Sequence, residues 1–126
     1  MFSRWLLTGF AMIALLAYPA AVRGETPKKV LRHAVFFQFK DDAGQDDIAK
    51  VVAAFDALPK KIDAIKGYQR GVIENKGPAS AGYTHAFFLT FADEKGRQTY
   101  LPHPDHKAFG GVLRPHLKKV FVIDYW

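Results

Sequence analysis

The sequence predicts an α+β domain with a ferredoxin-like sheet, in which strands and helices follow the order β-α-β-β-α-β. Four segments have the composition and period of strands, and helical segments separate the first strand from the second and the third from the fourth. Crossovers of this kind place the helices on one face of an antiparallel sheet. A length of 126 residues, of which 49% are apolar and 14% aromatic, suits one globular domain.

The N-terminal segment differs from the rest of the chain. Arg4 precedes an uncharged, mostly apolar run from Trp5 to Val22, and this pattern predicts a secretory signal peptide at residues 1–24. An uncleaved anchor is the alternative, since about 18 uncharged residues is the lower limit for a membrane span. Basic residues after this run oppose the anchor, because positive charge favours the cytoplasmic side. We therefore expect residues 25–126 to form an exported domain, periplasmic or secreted, without stable membrane association.

The composition of the expected mature domain excludes several kinds of chemistry. Removal of the expected signal peptide lowers the net charge from +6 to +4 and removes both methionines. The whole chain has no cysteine. Disulfides, cysteine-based zinc sites and thiol nucleophiles are therefore excluded. No nucleophile-elbow or nucleotide-binding glycine motif occurs in the sequence. The modest charge has no aromatic-interleaved basic stripe, so no nucleic-acid partner is expected.

The first half of the domain reads as strand, helix and strand. Residues 30–39 alternate like a strand. Asp46 or Asp47 is expected to cap a helix whose apolar stripe ends at Pro59, with a further turn suggested by the apolar residues up to Ile65. A more polar second strand is predicted from Tyr68 to Glu74. The Gly- and Pro-containing residues 75–82 predict a loop.

The second half reads as strand, two helices and strand. Residues 83–91 predict the third strand, after which Asp93 can cap a short helix that reaches about Tyr100. Prolines interrupt this helix, and Pro104 suits the first position of a new one. That helix is expected to run to about Lys118, unless Pro115 kinks it or ends it early. Residues 120–126 predict the last strand.

The alternation of residues along the strands predicts both a cluster of histidines and an interface with a second protomer. In this topology the first and third strands are adjacent and central, so His33 and His85, on corresponding apolar faces, are expected to meet. Bulky aromatic residues on the opposite face of the sheet need another surface to bury them from water, because the helices pack on only one face. They are Phe36, Phe88 and Phe121. A homodimer that pairs sheet against sheet would supply that surface.

Four motifs resemble one family. They are Arg32-His33 in the first strand, Tyr83-Thr84-His85 in the third strand, Tyr100-x-x-His103-Pro104-x-His106 between the helices, and Asp124-Tyr125 at the end. Together they resemble the stress-responsive dimeric α/β-barrel (Dabb) domain over residues 31–125. The resemblance implies that two protomers pair as a dimeric α/β barrel, with a pocket between each sheet and its helices.

The same resemblance suggests which residues act in that pocket. Polyketide-cyclase-type members use a tyrosine and a histidine of the YxxHPxH segment, which here are Tyr100 and His106. Where those members carry a tyrosine in the first helix, this chain has Phe55, a departure that bears on the polarity of the pocket and therefore on cyclase activity. His33, His85 and His103 are the remaining candidate ligand-binding residues, together with Phe55 itself.

The proposed roles of Tyr100 and His106 are chemically reasonable, and they require no cofactor. In the first helical turn, the positive end of the helix dipole disfavours imidazolium, so His106 is expected to be a neutral general base. Tyr100 can donate a hydrogen bond to a carbonyl or an enolate. His103 and His106 also have a spacing that two metal ligands can share, but the intervening bend and the lack of further ligands predict no metal site. The alternative is a purely structural role, in which these histidines cap helices or are core residues that donate hydrogen bonds to backbone carbonyls.

Three functional hypotheses follow. The leading one is an exported homodimer that binds a small hydrophobic or aromatic molecule in a His/Tyr-lined pocket. The second is a cofactor-free, polyketide-cyclase-like enzyme or lyase that uses Tyr100 and His106. The third is a structural stress protein that has no ligand.

Overall fold

The computed structural model describes Gly24 and residues 26–126, and residues 1–23 of the expected signal peptide lie outside this part. Each predicted crossover consists of two helices. The helices are α1 (Gln45–Asp56), α2 (Leu58–Lys61), α3 (Glu94–Tyr100) and α4 (Pro104–Leu113). The strands are β1 (Leu31–Phe39), β2 (Ile65–Val72), β3 (His85–Phe91) and β4 (Leu117–Tyr125). Among these helices none is long and apolar enough to span a bilayer.

The sheet topology confirms the predicted ferredoxin-like fold. The four strands pair in the order β2-β3-β1-β4, and every neighbouring pair is antiparallel. The first and third strands are therefore central, as the β-α-β-β-α-β order predicts. Proline explains why each crossover is divided: Pro59 lies in the first turn of α2 and Pro104 begins α4.

Several element boundaries differ from the predicted ones. Gly44 occupies the N-cap of α1 without a side-chain cap, and Asp46 and Asp47 lie in the first turn instead, where the helix dipole favours acidic side chains. Ile65 begins β2 rather than extending a helix. At the other crossover, α4 ends at Leu113, because Pro115 cannot continue it. Asp93 caps α3 as predicted, by accepting a hydrogen bond from the Gly96 N–H over 3.0 Å.

The core lies between the helices and one face of the sheet. Alternate residues of β1 and β3 meet the apolar stripes of α1 and α4, and Phe55 stacks on Phe87 with ring centroids 4.3 Å apart. The largest fully buried side chains are Tyr100, Phe37, Phe55, Phe87, Phe91, Leu31, Leu58, Ile62, Leu89 and Val51. Each buried phenylalanine side chain of this group contributes about 1.5–3 kcal/mol by leaving water, so burial on this face stabilises the fold.

The opposite face of the sheet is apolar and uncovered. Phe36 packs edge-on against Phe88, with ring centroids 6.0 Å apart, and tilts against Phe121. Phe88 is 38% exposed, Phe121 48% and Ile123 41%. We call this surface the outer sheet face. A contiguous apolar patch of this kind on a small domain marks an interaction surface.

Candidate functional site

A cavity of about 330 Å³ lies between the sheet and the helical layer, beside β4. Its volume is at the lower end of the range typical of small-molecule sites. Its wall is mostly apolar, with contributions from β1, α1, α4 and β4; these residues are Val35, Phe37, Phe55, Leu101, Phe109, Leu113, Val120 and Val122. Four polar side chains complete the lining: His33, Tyr100, His106 and Asp124.

Tyr100 and His106 lie against each other in this cavity. Tyr100 ends α3 and His106 lies in the first turn of α4, and the bend between the helices brings their ring centroids to 4.3 Å. Pro104 sets the start of the second helix, so a short local sequence is enough to create the contact. The structure thus brings together the two residues that the sequence proposes as a catalytic pair.

The tautomer of His106 follows from its hydrogen bond. Its Nδ1 lies 2.9 Å from the backbone carbonyl oxygen of Leu101. A carbonyl oxygen only accepts hydrogen bonds, so Nδ1 carries the hydrogen and donates it. In the neutral ring, Nε2 then has a free lone pair that can accept a hydrogen bond or a proton.

Tyr100 is suited to remain a hydrogen-bond donor. Its side chain is 1% exposed, and burial raises the pKa of its hydroxyl. The hydroxyl therefore stays protonated at neutral pH. Tyr100 lines the cavity, so its hydroxyl can donate a hydrogen bond to a molecule bound there.

His33 reaches the cavity from β1 and is held by a carboxylate. Its Nδ1 lies 2.7 Å from Asp124 Oδ1, and its ring packs edge-on against Tyr100 with centroids 5.8 Å apart. His33 and Asp124 are directly opposite each other in the antiparallel register of β1 and β4. The sequence proposed His33 but missed this contact; the available signal was one acidic residue within the apolar run of the last strand.

The expectation that His33 and His85 meet is wrong. In the antiparallel register of β1 and β3, His33 lies opposite Leu89, whereas His85 lies opposite Phe37. The two histidines are therefore four residues apart along β1, about 13 Å at 3.3 Å per residue. His85 instead borders an open groove of about 510 Å³ that includes Arg70. Burial, and then the charge of Arg70, lower the pKa of His85.

The two other candidates have structural positions. His103 is the N-cap of α4, and its Nδ1 accepts a hydrogen bond from the Asp105 N–H over 3.1 Å. It does not line the cavity, so capping, the structural alternative, describes its position. Phe55 does line the cavity, as an apolar wall packed on Phe109 with ring centroids 4.8 Å apart. Across residues 24 and 26–126, no cluster of three or more His, Asp or Glu side chains could hold a metal ion.

The fold and the cavity define a ferredoxin-like α+β domain with histidine and tyrosine in a mostly apolar chamber. A family model for the stress-responsive A/B barrel domain, Dabb, matches residues 31–126. The chain therefore belongs to the Dabb family.

Relatives of this chain differ in what they do. Olivetolic acid cyclase from Cannabis sativa is 28% identical over 95 residues, which cover 75% of this chain and 94% of the cyclase. A hydroxynitrile lyase from Passiflora edulis is 26% identical, with a TM-score of 0.69 over 79% of this chain and 94% of the lyase chain. A ferredoxin-like protein from Bacteroides fragilis, described as dimeric, is 27% identical, with a TM-score of 0.63 over 76% of this chain and 94% of its own.

Proposed function

We propose that this Dabb domain forms a homodimer through its outer sheet face and binds a small hydrophobic or aromatic molecule in the cavity beside β4. The observation that supports this most directly is the meeting of Tyr100 and His106 in an otherwise apolar chamber. An apolar wall favours an apolar ligand, and a few fixed polar groups orient it. The exposed outer face and a relative described as dimeric support the homodimer.

A cavity-filling substitution tests ligand binding. Val122 lines the cavity and is 42% exposed, so Val122→Trp can fill the space without disturbing a tightly packed core. Val112 is similarly exposed, at 41%, and lies outside this cavity, which makes Val112→Trp the matched control. Native mass spectrometry of protein purified from its own host should detect a bound small molecule in the wild type and in Val112→Trp. We expect Val122→Trp to lose it.

Two results would contradict this proposal. If Val122→Trp retained the same molecule at the same occupancy as the wild type, the molecule would be bound elsewhere. If the wild type contained no molecule and bound none from a library of small aromatic compounds, the remaining hypothesis would be a structural stress protein without a ligand.

Proton-transfer catalysis is the second proposal for the same cavity. The free Nε2 of His106 can take a proton from an acidic C–H bond, while the Tyr100 hydroxyl donates a hydrogen bond to the oxygen that gains the negative charge. The relatives that are a cyclase and a lyase support an activity of this broad kind. The chain's own groups suffice for it, so the proposal needs no cofactor.

Hydrogen exchange into a simple carbon acid tests this step. Exchange of the methylene hydrogens of benzoylacetone in deuterated buffer is stopped with acid at short times and measured by proton NMR. Wild-type protein should accelerate the exchange above the buffer rate, and His106→Ala and Tyr100→Phe should each reduce the acceleration. His103→Ala is the control, because that ring caps α4 outside the cavity. Equal acceleration by the wild type and His106→Ala would exclude His106 as the base.

We also propose that the protein is exported and that residues 1–24 are removed. The sequence pattern of the leader supports this proposal. Mass spectrometry of the native N-terminus tests it, because a retained Met1 would contradict cleavage.

A further inference from the structure

A chain of ionic contacts runs from α3 to the sheet side of the cavity. It connects Glu94 and Arg97 of α3, Asp124 of β4 and His33 of β1. The proposed function uses Tyr100 and His106 on the helical side of the cavity and gives no role to this chain. Its geometry determines what His33 presents to a molecule in the cavity.

The first link defines the tautomer of His33. The imidazole is buried, and its Nδ1 lies 2.7 Å from Asp124 Oδ1. A carboxylate accepts hydrogen bonds and does not donate them, so Nδ1 carries the hydrogen. The remaining nitrogen, Nε2, is then the acceptor of the neutral ring. His33 and His106 therefore have the same tautomer, although one is held by a side chain and the other by a backbone carbonyl.

The second link holds the carboxylate in place. Arg97 Nη1 lies 2.9 Å from Asp124 Oδ2, so the two oxygens of Asp124 are engaged by different partners. Arg97 is in turn held by Glu94 one turn earlier on α3. A carboxylate bound at both oxygens cannot turn toward solvent without breaking a contact, although the Asp124 side chain is 29% exposed. The Arg97 guanidinium contacts Asp124 through Nη1 and Glu94 through Nη2, so two carboxylates fix its position.

We propose that Arg97, acting through Asp124, positions His33 as a second hydrogen-bond acceptor in the cavity, so that the ligand is a small, mostly apolar molecule with two O–H donors. This inference rests on the proposed function, since it concerns the same cavity. Two fixed acceptor nitrogens, on His33 and His106, match two O–H donors. A buried acceptor that meets an ether oxygen instead loses its hydrogen bond, which disfavours methylated analogues.

The positioning role has a readout that needs no ligand. Nitrogen-15 NMR of the labelled protein distinguishes the two tautomers of each histidine. His33 should be in the Nδ1–H form in the wild type and a mixture of forms in Arg97→Gln and Asp124→Asn. Arg97→Lys should largely restore the Nδ1–H form, because lysine keeps a charged donor. Arg70→Gln is the matched control, since Arg70 pairs with Asp56 over 2.7 Å outside the cavity.

The ligand class is tested with hydroquinone and 4-methoxyphenol, which differ by one O–H donor. Isothermal titration should show hydroquinone binding about fivefold more tightly to the wild type, as expected for one net hydrogen bond. That preference should disappear in Arg97→Gln and persist in Arg70→Gln.

The outcomes separate this inference from the proposed function. A wild-type His33 in the Nε2–H form, or an Arg97→Gln variant with unchanged tautomer, overturns the positioning role. Equal wild-type affinities for the two phenols overturn the ligand class and leave the proposed binding function intact. If neither phenol binds the wild type, the assigned ligand class fails. The search for any bound molecule in Val122→Trp and Val112→Trp then decides the proposed function separately.

Discussion

Replacing Phe121 with arginine is expected to dissociate the proposed dimer. Phe121 lies on the outer sheet face, with its ring centroid 6.1 Å from that of Phe36 and 6.2 Å from that of Tyr83. Its side chain is 48% exposed in the single chain. Burying a whole phenylalanine side chain contributes about 1.5–3 kcal/mol, so covering the exposed half contributes about 1 kcal/mol.

Symmetry doubles this contribution. A two-fold dimer contains the residue twice in one interface, so loss of both side chains removes about 2 kcal/mol. That amount weakens the dimer dissociation constant about 30-fold. The guanidinium adds the cost of placing a charge against an apolar surface, so 30-fold is a lower limit.

Sedimentation velocity over a concentration series measures this effect. Wild-type protein should sediment as a dimer at micromolar concentration, and Phe121→Arg should shift to monomer over the same range. Val112→Arg is the control, because Val112 is 41% exposed on α4, away from the outer sheet face. An unchanged dissociation constant for Phe121→Arg would refute the assignment of this face to the interface, and so would a monomeric wild type.

Three further predictions concern stability and pH. Phe55→Ala removes a buried ring that packs on Phe87, so the free energy of unfolding in urea should fall by about 3–5 kcal/mol. Tyr100 has a raised pKa, so its contribution to stability is present below about pH 10 and is lost at higher pH; Tyr100→Phe should flatten the alkaline limb of a urea-midpoint profile. The hydrogen bond from Arg70 lowers the pKa of Asp56, so this contribution is present above about pH 4 and is lost as pH falls; Arg70→Gln should flatten the acid limb. A profile with unchanged slopes in either variant would contradict the corresponding assignment.

Local sequence was sufficient to predict the contact between two of the four polar residues that line the cavity. Tyr100 and His106 are close along the chain, and the prolines between them define a bend that brings the rings together. Capping of α3 by Asp93 was predictable for the same reason, because a cap acts within one turn. Interactions of this range depend on neighbouring residues and need no knowledge of the sheet.

The positions of His33 and His85 could not be predicted from local sequence alone. Alternation correctly assigned His33 and His85 to the helix-facing side of the sheet, but it does not specify position along the strand. His33 is near the start of β1 and His85 is the first residue of β3. In an antiparallel pair the start of one strand lies beside the end of the other, so the two side chains are at opposite ends.

The sequence by itself determined the order of strands and helices, the apolar character of both sheet faces and the local Tyr100–His106 pair. Each of these follows from residue periodicity or from contacts within a few residues. Only the tertiary structure decided that His33 meets Asp124, which is 91 residues away, and that Arg97 holds the second oxygen of that carboxylate. The physical reason is register: strand pairing sets which distant residues lie opposite each other, and a shift of one residue would turn the Asp124 side chain to the outer sheet face.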